Sequence, residues 1–349
     1  MNVLHISRSM GQGGAQKVVC QLCEDVKANH FIASCGGVHV ESLKEFGVKH
    51  FLIPDMDRKN PFDMLKTLLI LIKIVRKQKI ELVHSHHRMA AFYARLLQFV
   101  FPELKHIYTA HNVFKGQKKL LAFALSKATI VACGDTVKNN LIEEYGVVEP
   151  QVIYNSVKRP ENLECDNELI KDEVEKGSYL IGCVGRLSEQ KGIDVFVKAI
   201  AEVVKSNDTV KGVIIGDGEE RNKLQELAEG LRIKENLLFL GYQKNVFALM
   251  NQMQFIVLPS RWEGFPLTPI ETFSVGKTIV VSDIKNNLEI VEPGKNGLSF
   301  KKDDVADLHV KFELMMKEKI DFELNAQKSY DEKFSYENFI SGYQSCYEI

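Results

Sequence analysis

Leu180-Ile181-Gly182-Cys183-Val184 runs as a short apolar strand into Gly185-Arg186-Leu187-Ser188-Glu189-Gln190-Lys191-Gly192, and a helical period follows. In that period Ile193, Phe196, Val197, Ile200, Val203 and Val204 share one face. Strand, glycine-bounded turn and amphipathic helix in that order form a βα unit. Downstream, further strands are predicted at 212–215, 237–240, 255–258 and 278–281, with helices between them. Upstream, residues 155–177 are polar and charged with a single proline, which suits a linker. Before the linker the alternation is the same. Strands are predicted at 3–6, 31–34, 50–53, 82–84, 106–109, 130–132 and 152–153, and helices at 16–27, 62–77, 90–101 and 137–145. Such alternation means parallel sheets with helices on both faces, and ligands then bind at the carboxyl ends of the strands.

The 349 residues exceed one ordinary domain, so two are expected: 1–155 and 156–334, with a helix over 335–349 packing back on the first. Apolar residues make up 45% and charged residues 26%, a globular mix. The net charge of −1 conceals an asymmetry. Residues 1–160 hold 22 Lys and Arg against 13 Asp and Glu (+9), and residues 161–349 hold 23 against 33 (−10). A basic first half points to an anionic surface or partner. Seven cysteines without framework spacing argue for free thiols in a reducing compartment. Cys20 and Cys23 sit among Val18, Val19, Leu22 and Val26 at helical spacing and read as packing residues rather than as a zinc or redox pair. The chain starts directly on a strand pattern, so no signal peptide is expected. The apolar run 68–72 ends at Lys73, too short to cross a bilayer. The expected location is cytoplasmic, with peripheral attachment at the inner face of the plasma membrane.

Three strand ends in the second half carry chemistry. After Val184, Arg186 and Lys191 stand five apart on a turn bounded by glycines. Arginine binds phosphate oxygens through paired hydrogen bonds, lysine adds a mobile charge, and glycine permits close backbone approach. After Ile215 comes Gly216-Asp217-Gly218, a weaker glycine turn. After Leu258 comes Pro259-Ser260-Arg261-Trp262-Glu263-Gly264-Phe265-Pro266-Leu267-Thr268-Pro269-Ile270-Glu271. Glu263 lies in the loop and Glu271 on the helix that follows, so two carboxylates at one corner can accept hydrogen bonds from the paired hydroxyls of a ribose or hexose.

In this order the motifs resemble the family 4 glycosyltransferases of the GT-B fold, across nearly the whole chain. Gly185-Arg186 with Lys191-Gly192, Gly216-Asp217-Gly218, Phe239-Leu240-Gly241, and Pro259-Ser260 followed by Glu263 and Glu271 at E-x7-E spacing carry the likeness. Gly276, Val281-Ser282-Asp283, Glu289 and Asn296-Gly297 continue it. The resemblance implies an α/β architecture of two Rossmann-like, doubly wound domains facing each other across a cleft. It implies a retaining transfer of a hexosyl or N-acetylhexosaminyl unit from a nucleoside-diphosphate sugar, most often a UDP-sugar, without a bound metal or other cofactor. Arg186 and Lys191 would neutralise the diphosphate. Glu271 would hold the ribose, Glu263 the transferred sugar, and Gly216, Phe265 and the backbone of Leu267 and Thr268 would complete the sugar-donor site.

Gly11-Gln12-Gly13-Gly14-Ala15-Gln16 follows the first strand, but Gln16 stands where a dinucleotide fingerprint needs a small third residue, so such a site is disfavoured. The resemblance instead lays Gly13 and Gly14 against the sugar-donor phosphates and puts Gln16 with His86 on the acceptor side. His84-Ser85-His86-His87 has no carboxylate at a helpful spacing, which disfavours a metal. Thr109-Ala110-His111-Asn112 resembles the family's Thr-x-His-Asn, which implies that His111 reaches the sugar near its reacting carbon.

Over 62–79, Leu65, Leu68, Leu69, Ile72 and Val75 oppose Lys66, Lys73, Arg76 and Lys77, and Lys115, Lys118, Lys119 and Lys127 flank the apolar stretch 120–125. Two readings stay open: sheet-packing helices with a solvated basic face, or docking on an anionic membrane. The expected acceptor is a glycan or a polyprenyl-diphosphate-linked sugar in surface polysaccharide synthesis, and no nucleic-acid partner is expected. Two competing functions are a GT-B sugar-nucleotide 2-epimerase, which lacks the Arg186–Lys191 and Glu263–Glu271 pairing in this form, and a non-catalytic nucleotide-sugar-binding subunit.

Overall fold

The computed structural model describes residues 1–58, 60–317 and 322–348. The chain divides into two compact units, Met1–Asn155 with Glu337–Ile349, and Ser156–Tyr336. In the first unit β1 (Asn2–Ile6), β2 (Asn29–Ser34), β3 (Lys49–Leu52), β4 (Leu82–Ser85), β5 (Lys105–Ala110), β6 (Thr129–Ala132) and β7 (Gln151–Val152) form one sheet. Its order is β3-β2-β1-β4-β5-β6-β7. In the second unit β8 (Tyr179–Val184), β9 (Val210–Ile215), β10 (Leu237–Gly241), β11 (Phe255–Leu258), β12 (Ile279–Ser282) and β13 (Gly297–Phe300) run β10-β9-β8-β11-β12-β13. The named strands pair in parallel throughout both sheets. Both are therefore doubly wound, with the strand order reversing once, between β1 and β4 and between β8 and β11. This is the α/β architecture that the alternating pattern predicts.

The strands are apolar on both faces because helices cover both. In the second unit Ile181, Cys183, Phe255 and Val257 are buried against the helix Ile193–Val203, whose Phe196, Val197 and Ile200 are fully covered. Each such side chain removed from water contributes about 1.5–3 kcal/mol. Glycine sets the closeness of that packing: a Cβ on Gly182 would lie 2.7 Å from Ile256 Cδ1, and one on Gly212 2.7 Å from Leu237 Cδ2. In the first unit the helix Tyr336–Glu348 buries Tyr343 and Tyr347 completely. Both hydroxyls are satisfied there, Tyr347 Oη at 2.8 Å from His84 Nδ1 and Tyr343 Oη at 3.1 Å from Thr109 Oγ1.

Three departures from the sequence reading have physical causes. The polar stretch 155–177 contains a helix, Glu168–Glu175, capped by Asn167, whose side chain accepts from Ile170 N at 3.2 Å. Only Ile170 on it is buried, so the apolar signal was too thin to mark it. Strand β13 was unanticipated because its four residues follow the Pro293-Gly294 turn and sit on the sheet edge. On the helix Pro61–Gln78, Leu71, Ile74 and Val75 face inward with Thr67, whereas Phe62, Leu65 and Leu69 are exposed at 84%, 58% and 57%.

His5, His30, His84, His86 and His106 are all buried. Burial pushes each below its ordinary value, His106 to about 3. An unfolded chain binds these protons near pH 6.5, so it takes up protons that the folded chain refuses. Stability is therefore full above that pH and is lost as the pH falls below it, by about 1.4 kcal/mol per pH unit for each buried ring that stays neutral. Calorimetry between pH 7.5 and 5 should show a falling Tm, and an unchanged Tm across that window would contradict the assignment.

Candidate active site

The loops after β8 and β11 flank the reversal of strand order in the second unit, the place where a doubly wound sheet opens to a ligand. Backbone hydrogen bonds fix the first loop: Gly185 N donates to Ile215 O at 3.0 Å, and Leu187 N to Asp217 O at 3.0 Å. The close approach of β8 and β9 depends on Gly216, which has φ 140° and whose missing Cβ would fall 1.9 Å from Gly185 O. Arg186 projects from this loop. It is exposed, and its guanidinium makes no ion pair among the described residues.

Lys191 ends a one-turn 3-10 helix, Glu189–Lys191, and reaches across to the second loop. Its Nζ donates to Glu263 Oε1 at 2.6 Å, with the two side chains 19% and 7% exposed. Ser260 Oγ donates to the same oxygen at 2.6 Å, while Oε2, among the described residues, receives only Gln190 Nε2 at 3.4 Å. Glu263 is thus gripped through one oxygen and keeps lone-pair capacity on the other. Phe265, Leu267 and Thr268 are buried where the loop turns into the helix Thr268–Ser274, and Glu271 is buried on that helix at 3% exposure.

Supporting residues that the sequence reading missed hold this corner together. Arg261 is the chief one: Nη2 binds Asp194 at 2.8 and 3.1 Å, Nε binds Asp303 at 2.7 Å, and Nη1 donates to Glu189 O at 2.8 Å. It ties the second loop to the first and to the turn after β13. Ser282 donates to Ser260 O, and Asn287 Nδ2 donates to Ser282 O at 3.0 Å. No local signal marks these partners, because each lies 5 to 72 positions from the other.

In the first unit Gly13 precedes the helix Gly14–Asp25, and Gln16 on its first turn donates from Nε2 to Ser9 O at 3.3 Å. Gly13 is exposed, and a Cβ on it would lie 2.4 Å from Gln16 Oε1, so Gln16 and the glycine loop fit each other. His111 follows β5, and burial pushes its pKa down to about 4. Its Nε2 lies 3.0 Å from His86 Nδ1, and its Nδ1 has no hydrogen-bond partner among the described residues. His86, expected on the acceptor side, lies inside the first unit. It is buried, and its other nitrogen is held 3.0 Å from His5 Nδ1, so it has no free ring nitrogen to offer a ligand.

Residues 166–333 match the family described as glycosyl transferases group 1, and residues 12–159 match glycosyltransferase family 4. An uncharacterised glycosyltransferase of Methanocaldococcus jannaschii is 28% identical over 68% of this chain and 64% of its own length. A galactosyltransferase of Escherichia coli, named for transfer from UDP-Gal to GlcNAc-diphosphoundecaprenol, is 26% identical over 87% of this chain and 85% of its own. Among solved structures, Anabaena HepE in complex with UDP-glucose superposes with a TM-score of 0.85 at 18% identity and covers 100% of both chains.

Gly216→Ala should therefore lower Tm well beyond Gly294→Ala. Both substitutions meet a left-handed backbone (φ 140° and 81°), at a cost of about 1–2 kcal/mol, but only the first drives a Cβ into a carbonyl. Equal shifts in a thermal melt would show that the β8–β9 approach is not what Gly216 serves.

Two doubly wound parallel sheets, a cation–carboxylate corner at one strand reversal and family matches over both units make this chain a glycosyltransferase of the group 1, GT-B type.

Proposed function

We propose that the chain is a retaining, metal-independent transferase that moves a hexosyl or N-acetylhexosaminyl unit from a UDP-sugar to a lipid-linked glycan acceptor. The observation that carries the sugar-donor half of this reading is the corner where Lys191 is paired to Glu263 while Arg186 stands unpaired nearby in sequence. A diphosphate carries charge that must be neutralised as it leaves. Arg186 offers a planar fork of donors, and Lys191 keeps two N–H bonds beyond the one given to Glu263. Glu263, held through Oε1, turns Oε2 to the hydroxyls of the transferred sugar. Glu271 takes the ribose hydroxyls, and Gly216, Phe265, Leu267 and Thr268 shape the pocket around them.

His111 supplies the group that meets the sugar at its reacting carbon, and Gly13 and Gly14 give close backbone approach to the phosphates. No side chain in this set is placed as a covalent nucleophile, which supports front-face transfer. The C–O bond to the diphosphate breaks, positive charge develops at the anomeric carbon, and a diphosphate oxygen takes the proton of the attacking acceptor hydroxyl. Retention and metal independence rest on the family resemblance. The lipid-linked acceptor draws its support from the name of the Escherichia coli relative.

Peripheral membrane docking fits the first unit. No helix is long and apolar enough to cross a membrane among the described residues. On the helix Pro61–Gln78, however, exposed Phe62, Leu65 and Leu69 lie among exposed Lys66, Lys73, Arg76 and Lys77. Apolar insertion with flanking cations is how a helix lies on an anionic surface.

Incubation with a panel of nucleotide sugars and a polyprenyl-diphosphate-linked acceptor should release nucleoside diphosphate and give a product of unchanged anomeric configuration. Arg186→Ala and Glu271→Ala should each lower turnover about 100-fold or more, the loss typical of one transition-state charge contact. Interconversion of free nucleotide sugars, or binding without turnover, would overturn the assignment. The double variant Leu65→Glu, Leu69→Glu should lose flotation with anionic vesicles at low salt, and a wild-type chain that does not float would refute docking.

A further inference from the structure

Four histidines cross four adjacent strands of the first unit in a single row. His30 lies on β2, His5 on β1, His86 directly after β4 and His111 directly after β5, in the order in which those strands neighbour one another. The register places them on one face, with Val3 opposite His30 and His5 opposite His84, so that rings two residues apart stay on the same side. Each ring touches the next. His30 Nδ1 is 3.0 Å from His5 Nε2, His5 Nδ1 is 3.0 Å from His86 Nε2, and His86 Nδ1 is 3.0 Å from His111 Nε2. At the far end His30 Nε2 lies 2.8 Å from Val26 O.

The direction of every bond follows from that last contact. A carbonyl oxygen only accepts, so His30 Nε2 carries the hydrogen and His30 Nδ1 is bare. His5 must then donate from Nε2, which leaves its Nδ1 bare, and His86 must donate from Nε2 in turn. His111 is left to donate from Nε2 into His86 Nδ1. We infer that the row His30–His5–His86 fixes the tautomer of His111, so that Nδ1, a buried atom with no partner among the described residues, always carries a bare lone pair. The inference rests on the reading above that His111 meets the sugar. It adds that the contact is made by a neutral ring acting as an acceptor, and it makes His5, His30 and His86 positioning residues.

The titratable groups around the row do not disturb this order. His84 lies tilted against His86, 4.1 Å away by ring centroids, and has its own partners in Tyr347 and Thr109. Cys23, Tyr343 and Tyr347 are held protonated by burial, and His84 and His106 are held neutral by it. Two sets in the row, His5 with His84 and His86, and His5 with Cys23 and His30, have atoms close enough to share a cation. A cation on either set would take lone pairs that the row already uses, and so would break at least one of its bonds.

The test is long-range nitrogen–proton NMR on the whole chain labelled in its histidines, at pH 7.5. His30, His5, His86 and His111 should each show a protonated Nε2 and a bare Nδ1. His111 protonated at Nδ1, a mixture of both tautomers there, or stoichiometric zinc in the purified protein would overturn the inference. This result needs no turnover and no variant. His5→Leu should then release His111 into a mixture of tautomers and lower kcat roughly tenfold with little change in KM. His5→Gln, which can donate to His30 and accept from His86, should restore both the single tautomer and the rate. If the tautomers are as stated and no sugar is transferred by the wild-type chain, the transferase role of His111 fails while the row stands. If transfer is robust and His111 carries its proton on Nδ1, the row fails alone.

Discussion

A parallel strand must be connected to its neighbour by a crossover, and when successive crossovers leave in opposite directions the two strands at the reversal part at their carboxyl ends. Both sheets of this chain have that geometry once, at β1 and β4 and at β8 and β11. The loop after β8 is glycine-bounded and tied by backbone hydrogen bonds to β9 and the turn after it, and the loop after β11 is tied to the first by the bond from Arg261 N to Gln190 O. A cation and a carboxylate can therefore be brought to 2.6 Å across the opening without a long flexible arm. Largely buried as it is, this pair gains more from its fixed geometry than from its charge, and Ser260 and Arg261 supply that geometry.

The first unit solves the same positional problem with uncharged groups. Its reversal carries His5 and His84 side by side in register, and the helix Tyr336–Glu348 seals them with Tyr343 and Tyr347. Burial would be costly for imidazolium rings, so the cluster holds together only as a network of neutral rings whose lone pairs and hydrogens are matched. The acid sensitivity of this unit and the order of its hydrogen bonds have one cause.

Much of this was legible in the sequence. The strand pattern located twelve of the thirteen strands within a residue or two, because strands buried on both faces leave continuous apolar runs between turn residues. Arg186, Lys191, Glu263 and Glu271 could be singled out because each lies on a loop or helix that follows such a run. What escaped depends on partners far away in the chain. Arg261 looks like any loop cation until Asp194 and Asp303 are brought to it, and the row that joins histidines of four strands is invisible in the sequence because strand order, unlike strand position, is not written in a local pattern. The helix Glu168–Glu175 escaped for the opposite reason: its capping residue Asn167 was visible, but an exposed helix leaves almost no apolar stripe.

The two units differ in the kind of group they place at the reversal of strand order. The second unit is acidic overall, yet it presents cations at its reversal, where the loops leave Arg186 in solvent and the charge needs no burial. The first unit is basic overall, yet its reversal is lined by neutral imidazoles, because the strands there are covered and a charge would be expelled. A leaving diphosphate calls for the first kind of surface. A carbon that gains positive charge as the diphosphate departs calls for the second, since a lone pair stabilises it where an imidazolium would repel it. Under the proposed transfer, the neutral state that burial gives His111 is a condition for its role. Under that proposal His86, His5 and His30, whose hydrogen bonds fix which nitrogen of His111 carries the proton, are positioning residues of the reaction.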